Sequence, residues 1–554
     1  MNKQKIPLFV YAALTLAVML PLLRSGFILT VDLVFTPTIP WPTSLTPSYP
    51  FWALLHILNI IVPSQIIEKA LLCGILLAAG YGAYKMVEMF RVTGSENGRR
   101  AAAYFAGVLY MFNPYVYSRF MAGQFAVLMG YALLPLFVLV LWRFLEKPGT
   151  RRALLMMLAA TGIVILSVHA AGFITLLSVI FAVLFAWRRR NDKEWLRAFL
   201  QCTGLAVVAL LVVNSWWILP ALFGHGATAQ VVHGFTNNDF SAFATNGRGF
   251  GVVGNVLGLQ GFWADSKNLF LVPQDVFVWW RVPIIGLWVI VAGGVIVGLR
   301  RWRGVSAAFL LVAAIVAVLA IGTAGTIVAP FNRWLLHAVP FFAGYREPQK
   351  FVALIALAYA YFGAVAIAAI YDWLYNVKSL KQHAATAAFL LCVVPILCAP
   401  LMMWGFHAQL HAAEYPVEWN AIHDRLDAEC TGDCKVLFLP WHMYMPYGFA
   451  GRVIASPAPK FFGPRVIASS DPEFRGIAPA NITAEQRAVD DTILPAAAHG
   501  GTQMGAALKR YNVQYVLLAK EYDYKTYDYL AAQRDLKVVL DTPSLTLYQV
   551  TVSK

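Results

Sequence analysis

Apolar runs of roughly twenty residues recur along this 554-residue chain, and that is the length an α-helix needs to cross ~30 Å of hydrocarbon. Charge is correspondingly scarce. The chain is 59% hydrophobic and 13% charged, where soluble domains run at about 45–50% and about 25%. The fold class this implies is a polytopic α-helical membrane protein with about eleven transmembrane helices. The runs fall near 6–23, 66–88, 100–113, 124–144, 153–168, 170–187, 197–219, 281–299, 305–328, 349–373 and 384–404. The third, fifth and sixth are short. The first follows Lys3 and Lys5 and lacks a small-residue cleavage site, so it is expected to remain as a span.

The net charge of +15 does not mark a nucleic-acid binder, because the basic residues cluster at the ends of apolar runs, where anchoring places them. Arg151 and Arg152 precede the 153–187 run and Arg188, Arg189 and Arg190 follow it. Both ends then face the cytoplasm and the run must turn near Ser167-Val168-His169. Carried through the chain, this scheme puts twenty Lys and Arg on cytoplasmic segments (Lys3, Lys5, Lys85 and Arg91 among them) and nine on the outer side. The expectation is a multi-pass plasma-membrane protein with a cytoplasmic N-terminus and an extracytoplasmic C-terminus.

Residues 1–404 are expected to form the membrane domain, with long outer loops at 24–65 and 220–280, and residues 405–554 a separate domain. The first loop carries FWALLHILNII, too short to cross and suited to the interface. The C-terminal region alternates patterns. CKVLFLP reads as a buried strand, PVEWNAIHDRLDAE as a helix with Val417, Ile422 and Leu426 on one face, TQMGAALKRYN then VQYVLLA as helix and strand, and KVVLDTPSLTLYQV as a hairpin. An α/β domain follows. Cys430 and Cys434 flank a Thr-Gly-Asp turn, and in an oxidising compartment they are expected to form a small-loop disulfide.

The span interiors hold almost no ionisable residues, unlike coupled transporters and pumps. Asp32, Glu68, Asp239, Asp265, Asp275 and Glu347, the acids outside the cytoplasmic segments and the C-terminal region, all fall at or beyond the outer boundary. No Gly-rich phosphate loop or nucleotide fingerprint is present. Polar chemistry at one face without a nucleotide pocket suits a lipid-borne substrate, and a polyprenyl-phosphate donor in particular.

Several stretches in order along the chain resemble the GT-C class of integral-membrane glycosyltransferases, nearest the mycobacterial-type arabinofuranosyltransferases of cell-wall polysaccharide. They are VDLVFTP, FNPYVYSRFMAGQFAVLMGYALLP, SAFATNGRGF followed by LGLQGFW, and GYREPQKF, with YNVQYVLLAK and LTLYQV in the C-terminal region. The chain is far shorter than the largest members, and no appended carbohydrate-binding modules are expected of it. The resemblance implies a polyprenyl-phosphate-sugar donor, inversion at the anomeric carbon, and a catalytic acid in the first outer loop. Asp32 is the acid that matches that position.

Asp32 is thus expected as general base, taking the proton of the acceptor hydroxyl, a role worth ~10²–10⁴-fold in rate. Its structural alternative is capping the helix that follows or pairing with Arg24. Arg346 and Lys350 are candidates for the phosphate, with Glu347 orienting Arg346, although all three also suit a helix start beside Pro348 and interfacial anchoring. Arg119 is a further phosphate or sugar contact, or an anchor at a span end. Asp239, His169, Gln124 and Trp263 are candidates for sugar binding, with Asp239 the second choice as base. Trp216 and Trp217 suit an aromatic belt.

A monophosphate leaving group is neutralised by Arg and Lys, so no cofactor is expected to be required and no metal ligands are assigned; a divalent ion is the less favoured alternative. The partners expected are a polyprenyl-phosphate-linked sugar, a glycan or glycolipid acceptor and the lipid bilayer, without nucleic acid. The rival functions are a lipid-linked sugar flippase or transporter, which would line its spans with polar residues, and a non-catalytic polysaccharide assembly factor, which would tolerate loss of Asp32.

Overall fold

The computed structural model describes residues 5–90, 92, 95–223, 232, 234–473, 477 and 482–551. Lys3 and Arg91, counted above among the cytoplasmic cations, lie outside the described residues. The chain divides into two compact units. One comprises residues 1–21, 43–51 and 70–409, the other residues 22–42, 52–69 and 410–554. Most of the first outer loop thus groups with the C-terminal region and not with the rest of 1–404.

Among the described residues, nine helices are long and apolar enough to cross a membrane: Ile6–Leu23, Ser64–Phe90, Phe125–Glu146, Ala170–Arg188, Lys193–Val213, Arg281–Arg301, Arg303–Ile321, Pro348–Asn376 and Lys381–Cys398. The other two of the eleven expected runs form shorter helices. The runs at 100–113 and 153–168 are helical, but as Glu96–Met111 and Thr150–Leu166, of 16 and 17 residues. Asn113-Pro114 cuts the first short, since the Asn side chain caps the next helix. The second stops at Ser167, and the next helix starts at Ala170, so the turn falls where the flanking arginines required it.

Val352–Asn376 is the core of the first unit, its side chains buried without a break from Val352 to Ala368. Alanine and glycine make that possible, because small residues let helix backbones approach where no hydrophobic force drives them together. At Gly294, on Arg281–Arg301, a Cβ would collide with the Phe362 carbonyl oxygen. Lys193–Val213, by contrast, is almost wholly on the outside of its unit, as a lipid-facing helix would be. The described part of the 220–280 segment contains short helices, including Asn237–Ala242, Gly251–Leu257 and Pro273–Val276.

In the second unit, strands β1 (Phe27–Ile28) and β2 (Ala412–Ala413) pair antiparallel. Gly26 permits this: its φ is +104° and a Cβ would stand 2.8 Å from the Ala413 carbonyl oxygen. Next come β3 (Lys435–Leu439), the antiparallel pair β4 (Tyr444–Tyr447) and β5 (Arg452–Ala455), β6 (Val466–Ile467), β7 (Val513–Ala519), β8 (Leu536–Asp541) and β9 (Leu545–Val550). One five-stranded sheet has the order β6-β3-β7-β9-β8. Its first three strands run parallel, and β9 is antiparallel to both neighbours. Leu437, Leu439, Val516 and Leu518 of its strands pack with Ile493, Met504 and Leu508 in one apolar core.

Helix Val417–Glu429 buries Trp419, Ile422 and Leu426. Val417, expected on that face, is exposed; the buried stripe begins at Trp419, which with Ile422 and Leu426 keeps the helical spacing. Cys430 and Cys434 are disulfide-bonded with Cα atoms 5.2 Å apart.

Candidate functional site

In the first unit, Asn113 caps helix Pro114–Met121, its side chain accepting the Val116 N–H at 3.0 Å. That short helix carries Arg119 in its last turn, and Gln124 follows before Phe125–Glu146 begins. Arg119 is fully buried. Its Nη1 donates to Glu347 Oε2 at 2.7 Å and to Gln124 Oε1, and its Nη2 to Gln349 Oε1 at 3.4 Å. The guanidinium also lies over the Phe262 ring, 4.2 Å from its centroid.

Glu347 precedes the 3₁₀ turn Pro348–Phe351 that opens the central helix. Gln124 Nε2 donates to Glu347 Oε2 at 3.1 Å, and Lys350 Nζ stands 3.3 Å from its Oε1. Burial works against the charged carboxyl, and the two cations outweigh it, holding the group well below the usual carboxylate range. Lys350 Nζ also meets His169 Nε2 at 3.1 Å. An ammonium only donates, so the His169 ring accepts and is neutral. Burial and the neighbouring Lys350 push that ring well below the ordinary histidine value. Tyr345 fixes the same turn: its hydroxyl donates to the His169 carbonyl at 2.8 Å and accepts the Gly172 N–H at 2.9 Å.

The structure therefore joins five sequence candidates, Arg119, Gln124, His169, Glu347 and Lys350, in one network. Within it two buried cations share one carboxylate. The next acid along is Asp265, which accepts from Ser118 Oγ at 3.1 Å. Burial pushes its carboxyl up to about 7 against the pull of the Ser118 hydroxyl and Arg119.

Arg346 belongs to an adjoining group. Its Nη1 donates to Asp239 Oδ1 at 3.0 Å, and its guanidinium lies 4.1 Å and 4.4 Å from the ring centroids of Phe235 and Phe243. The expectation that Glu347 orients Arg346 is thus corrected. Successive side chains on this non-helical stretch take different partners, and Asp239 is the acid that orients Arg346. Asp239 is itself committed, since its Oδ2 accepts the backbone N–H and the hydroxyl of Thr236, each at 2.9 Å, capping helix Asn237–Ala242. Trp263 packs edge-on against Phe243, centroids 4.9 Å apart. Gln349 links the two groups, accepting from Arg119 and donating to the Phe243 carbonyl at 3.1 Å. Gln349 and Tyr345 escaped sequence reasoning, because a single amide or phenol inside GYREPQKF carries no distinguishing pattern.

Asp32 lies in the second unit, exposed beside a turn in which the Thr30 N–H donates to the Leu33 carbonyl at 3.0 Å. The Tyr444 hydroxyl donates to Asp32 Oδ1 at 2.8 Å. Lys460, whose Nζ donates to the Val34 carbonyl at 2.9 Å, interacts electrostatically with the Asp32 carboxylate. The segment is pinned from the same region by the Ala455 N–H, donating to the Val31 carbonyl at 2.8 Å, and by the Tyr415 hydroxyl, donating to Phe35 at 2.8 Å. Tyr444 and Lys460 were not singled out from sequence. They lie more than 400 residues from Asp32, and nothing local announces the meeting.

The described residues contain no group of three or more His, Cys, Asp or Glu side chains arranged to hold a metal ion.

A family model described as "6-pyruvoyl-tetrahydropterin synthase related domain; membrane protein" matches residues 46–329, just over half of the chain. No curated protein sequence matches. Among solved structures, arabinofuranosyltransferase AftD from Mycobacteria aligns over 99% of this chain with a TM-score of 0.63 and 16% identity. The chain spans only 40% of that structure's length. The Archaeoglobus fulgidus oligosaccharyltransferase, in its apo form, aligns over 96% of this chain and 71% of its own, with a TM-score of 0.48 and 13% identity. The likeness to AftD establishes a GT-C-like fold.

Proposed function

The chain belongs to the family of membrane proteins described as 6-pyruvoyl-tetrahydropterin synthase related, and from that membership together with its GT-C-like fold we propose that it is a glycosyltransferase using a polyprenyl-phosphate-linked sugar. One observation carries the phosphate part of this reading: Arg119 and Lys350 are buried around a single carboxylate, Glu347. A buried charge without a counter-charge is costly, and a phosphate anion is a group that would relieve the excess. It is also the group whose negative charge grows as the sugar departs, where fixed cations stabilise the transition state most.

In this reading Lys350 and Arg346 hold the phosphate. Arg119, three of whose N–H groups already bond Glu347, Gln124 and Gln349, acts through Glu347. The oxygen of the acceptor hydroxyl attacks the anomeric carbon, and the bond from that carbon to the phosphate oxygen breaks. Polyprenyl phosphate leaves with the electron pair, and Asp32 takes the hydroxyl proton. Tyr444 orients the Asp32 carboxylate. The leaving group needs no protein acid at neutral pH, so no metal or other cofactor is invoked. The acceptor is a glycan or glycolipid.

The experiment is transfer by purified full-length protein in detergent, with radiolabelled polyprenyl-phosphate pentose and hexose donors and a glycan acceptor. Acceptor-dependent release of polyprenyl phosphate is expected, with Arg346→Gln lowering kcat/KM for the donor at least about tenfold. Absence of release from every donor, or an Arg346→Gln enzyme with unchanged donor kinetics, would count against the reading.

A further inference from the structure

The five-stranded sheet of the second unit has a topological switch point that the transfer reading does not use. In the order β6-β3-β7, strand β3 comes first along the chain and lies between its two successors. The chain therefore moves to one neighbour of β3 and then crosses to the other. In open sheets with parallel strands, ligands bind outside the carboxyl ends of the strands at such a point, because the connections diverge there and leave a crevice.

The residues that leave the three parallel strands at this end bear polar chemistry. After β3 come Trp441 and His442, after β6 come Ser470 and Glu473, and after β7 come Tyr522 and Asp523. Their side chains meet. His442 Nδ1 lies 2.7 Å from Glu473 Oε1, and His442 Nε2 lies 3.1 Å from Asp523 Oδ2. Carboxylates only accept, so both ring nitrogens carry protons and the imidazole is a cation. The Trp441 N–H donates to the Tyr527 hydroxyl at 2.9 Å, tying the β3 segment to the one after β7.

Two features leave the site open to a ligand. The Glu473 and Asp523 side chains are 40% and 32% exposed, so each carboxylate keeps acceptor capacity toward solvent. Beside them the Tyr522 ring is 62% exposed and stands edge-on to His442, centroids 5.3 Å apart. An aromatic face left in solvent next to carboxylates that still have acceptor capacity matches the two faces of a sugar: its C–H surface and its paired hydroxyls.

Charge narrows the ligand class. His442 is flanked by Glu473 and Asp523, and Asp490 interacts with the Trp441 side chain and with Asp471. The carboxylates outnumber the one imidazolium, which disfavours phosphates and uronic acids. The carboxylates are not grouped as metal ligands.

We propose that the carboxyl ends of β3, β6 and β7 form a binding site for neutral saccharide, with Asp523 and Glu473 accepting sugar hydroxyls, His442 fixing both carboxylates, and Tyr522 stacking on the ring. Its residues are not those invoked for transfer, and binding is read without turnover, so the two readings stand or fall separately.

The test is isothermal titration and saturation-transfer NMR on the full-length protein in detergent, with neutral arabinan, galactan and mannan oligosaccharides and an oligogalacturonate as anionic control. At least one neutral oligosaccharide is expected to bind, with saturation transfer to its ring protons. Tyr522→Ala, melting like the wild type, and Asp523→Asn are each expected to weaken that binding at least tenfold, and Asp32→Asn to bind as the wild type does. Tyr522 is exposed, so its variant keeps the test independent of folding. Four results would each overturn the proposal: no binding by any neutral oligosaccharide, unchanged binding by both Tyr522→Ala and Asp523→Asn, tighter binding of the oligogalacturonate, or loss of binding in Asp32→Asn.

Discussion

At the scale of single residues, Glu347 holds the first unit's polar network together. It is the shared partner of Arg119 and Lys350, and removing one partner of a buried pair leaves uncompensated charge. Glu347→Gln is therefore expected to destabilise the protein by about 3–5 kcal/mol, read as a lowered thermal midpoint in detergent; an unchanged midpoint would show that the two cations are satisfied in some other way. His442 supplies a pH prediction. Burial opposes its charge, but the bonds to Asp523 and Glu473 prevail and raise its pKa. A raised folded-state pKa means that these bonds contribute fully below the ordinary histidine value of about 6.5 and are lost as pH rises through the raised one. Amide exchange of the segments after β3 and β7 should quicken on going from pH 6 to pH 9 beyond the intrinsic chemical increase, and His442→Asn should remove the excess. The sequence marked Arg119, Glu347, Lys350 and His169 as single candidates but not their pairing. Arg119 and Glu347 are 228 positions apart, and side-chain partnerships over that distance leave no periodic trace.

At the scale of elements, the apolar runs and the strand and helix periods of the C-terminal region were legible because burial imposes them directly. The run at 435–439 is β3, the hairpin around Pro543-Ser544 is β8–β9, and the turn demanded by the arginines flanking 153–187 lies at 167–169. Helix ends were less legible. Hydropathy alone does not reveal that Asn113, by capping the next helix, stops Glu96–Met111 at 16 residues. The two-residue strand β1 was invisible, since its partner Ala412–Ala413 lies far along the chain. Its formation rests on Gly26, whose backbone is left-handed and touches Ala413. Gly26→Ala is expected to cost at least about 1–2 kcal/mol from the backbone alone, and to speed proteolysis within residues 22–34. Cleavage at the wild-type rate would show that the β1–β2 pair does not hold this segment.

At the scale of the whole molecule, the account is that a GT-C-like membrane fold carries a phosphate-suited cation cluster in one unit and a tyrosine-bound carboxylate, Asp32, in the other. The polytopic helical class was legible from hydropathy and charge, and the GT-C likeness from the resemblance of the quoted stretches. The division into units was not, because it depends on residues 22–42 and 52–69 packing with residues 410–554, a choice made by tertiary contacts. The central claim is that Asp32 is the base of a glycosyl transfer, and the most direct measurement is the initial rate of acceptor-dependent polyprenyl-phosphate release by wild type and Asp32→Asn at equal folded concentration. The account predicts a fall of ~10²–10⁴-fold in the variant with an unchanged thermal midpoint; transfer by Asp32→Asn at the wild-type rate would contradict it.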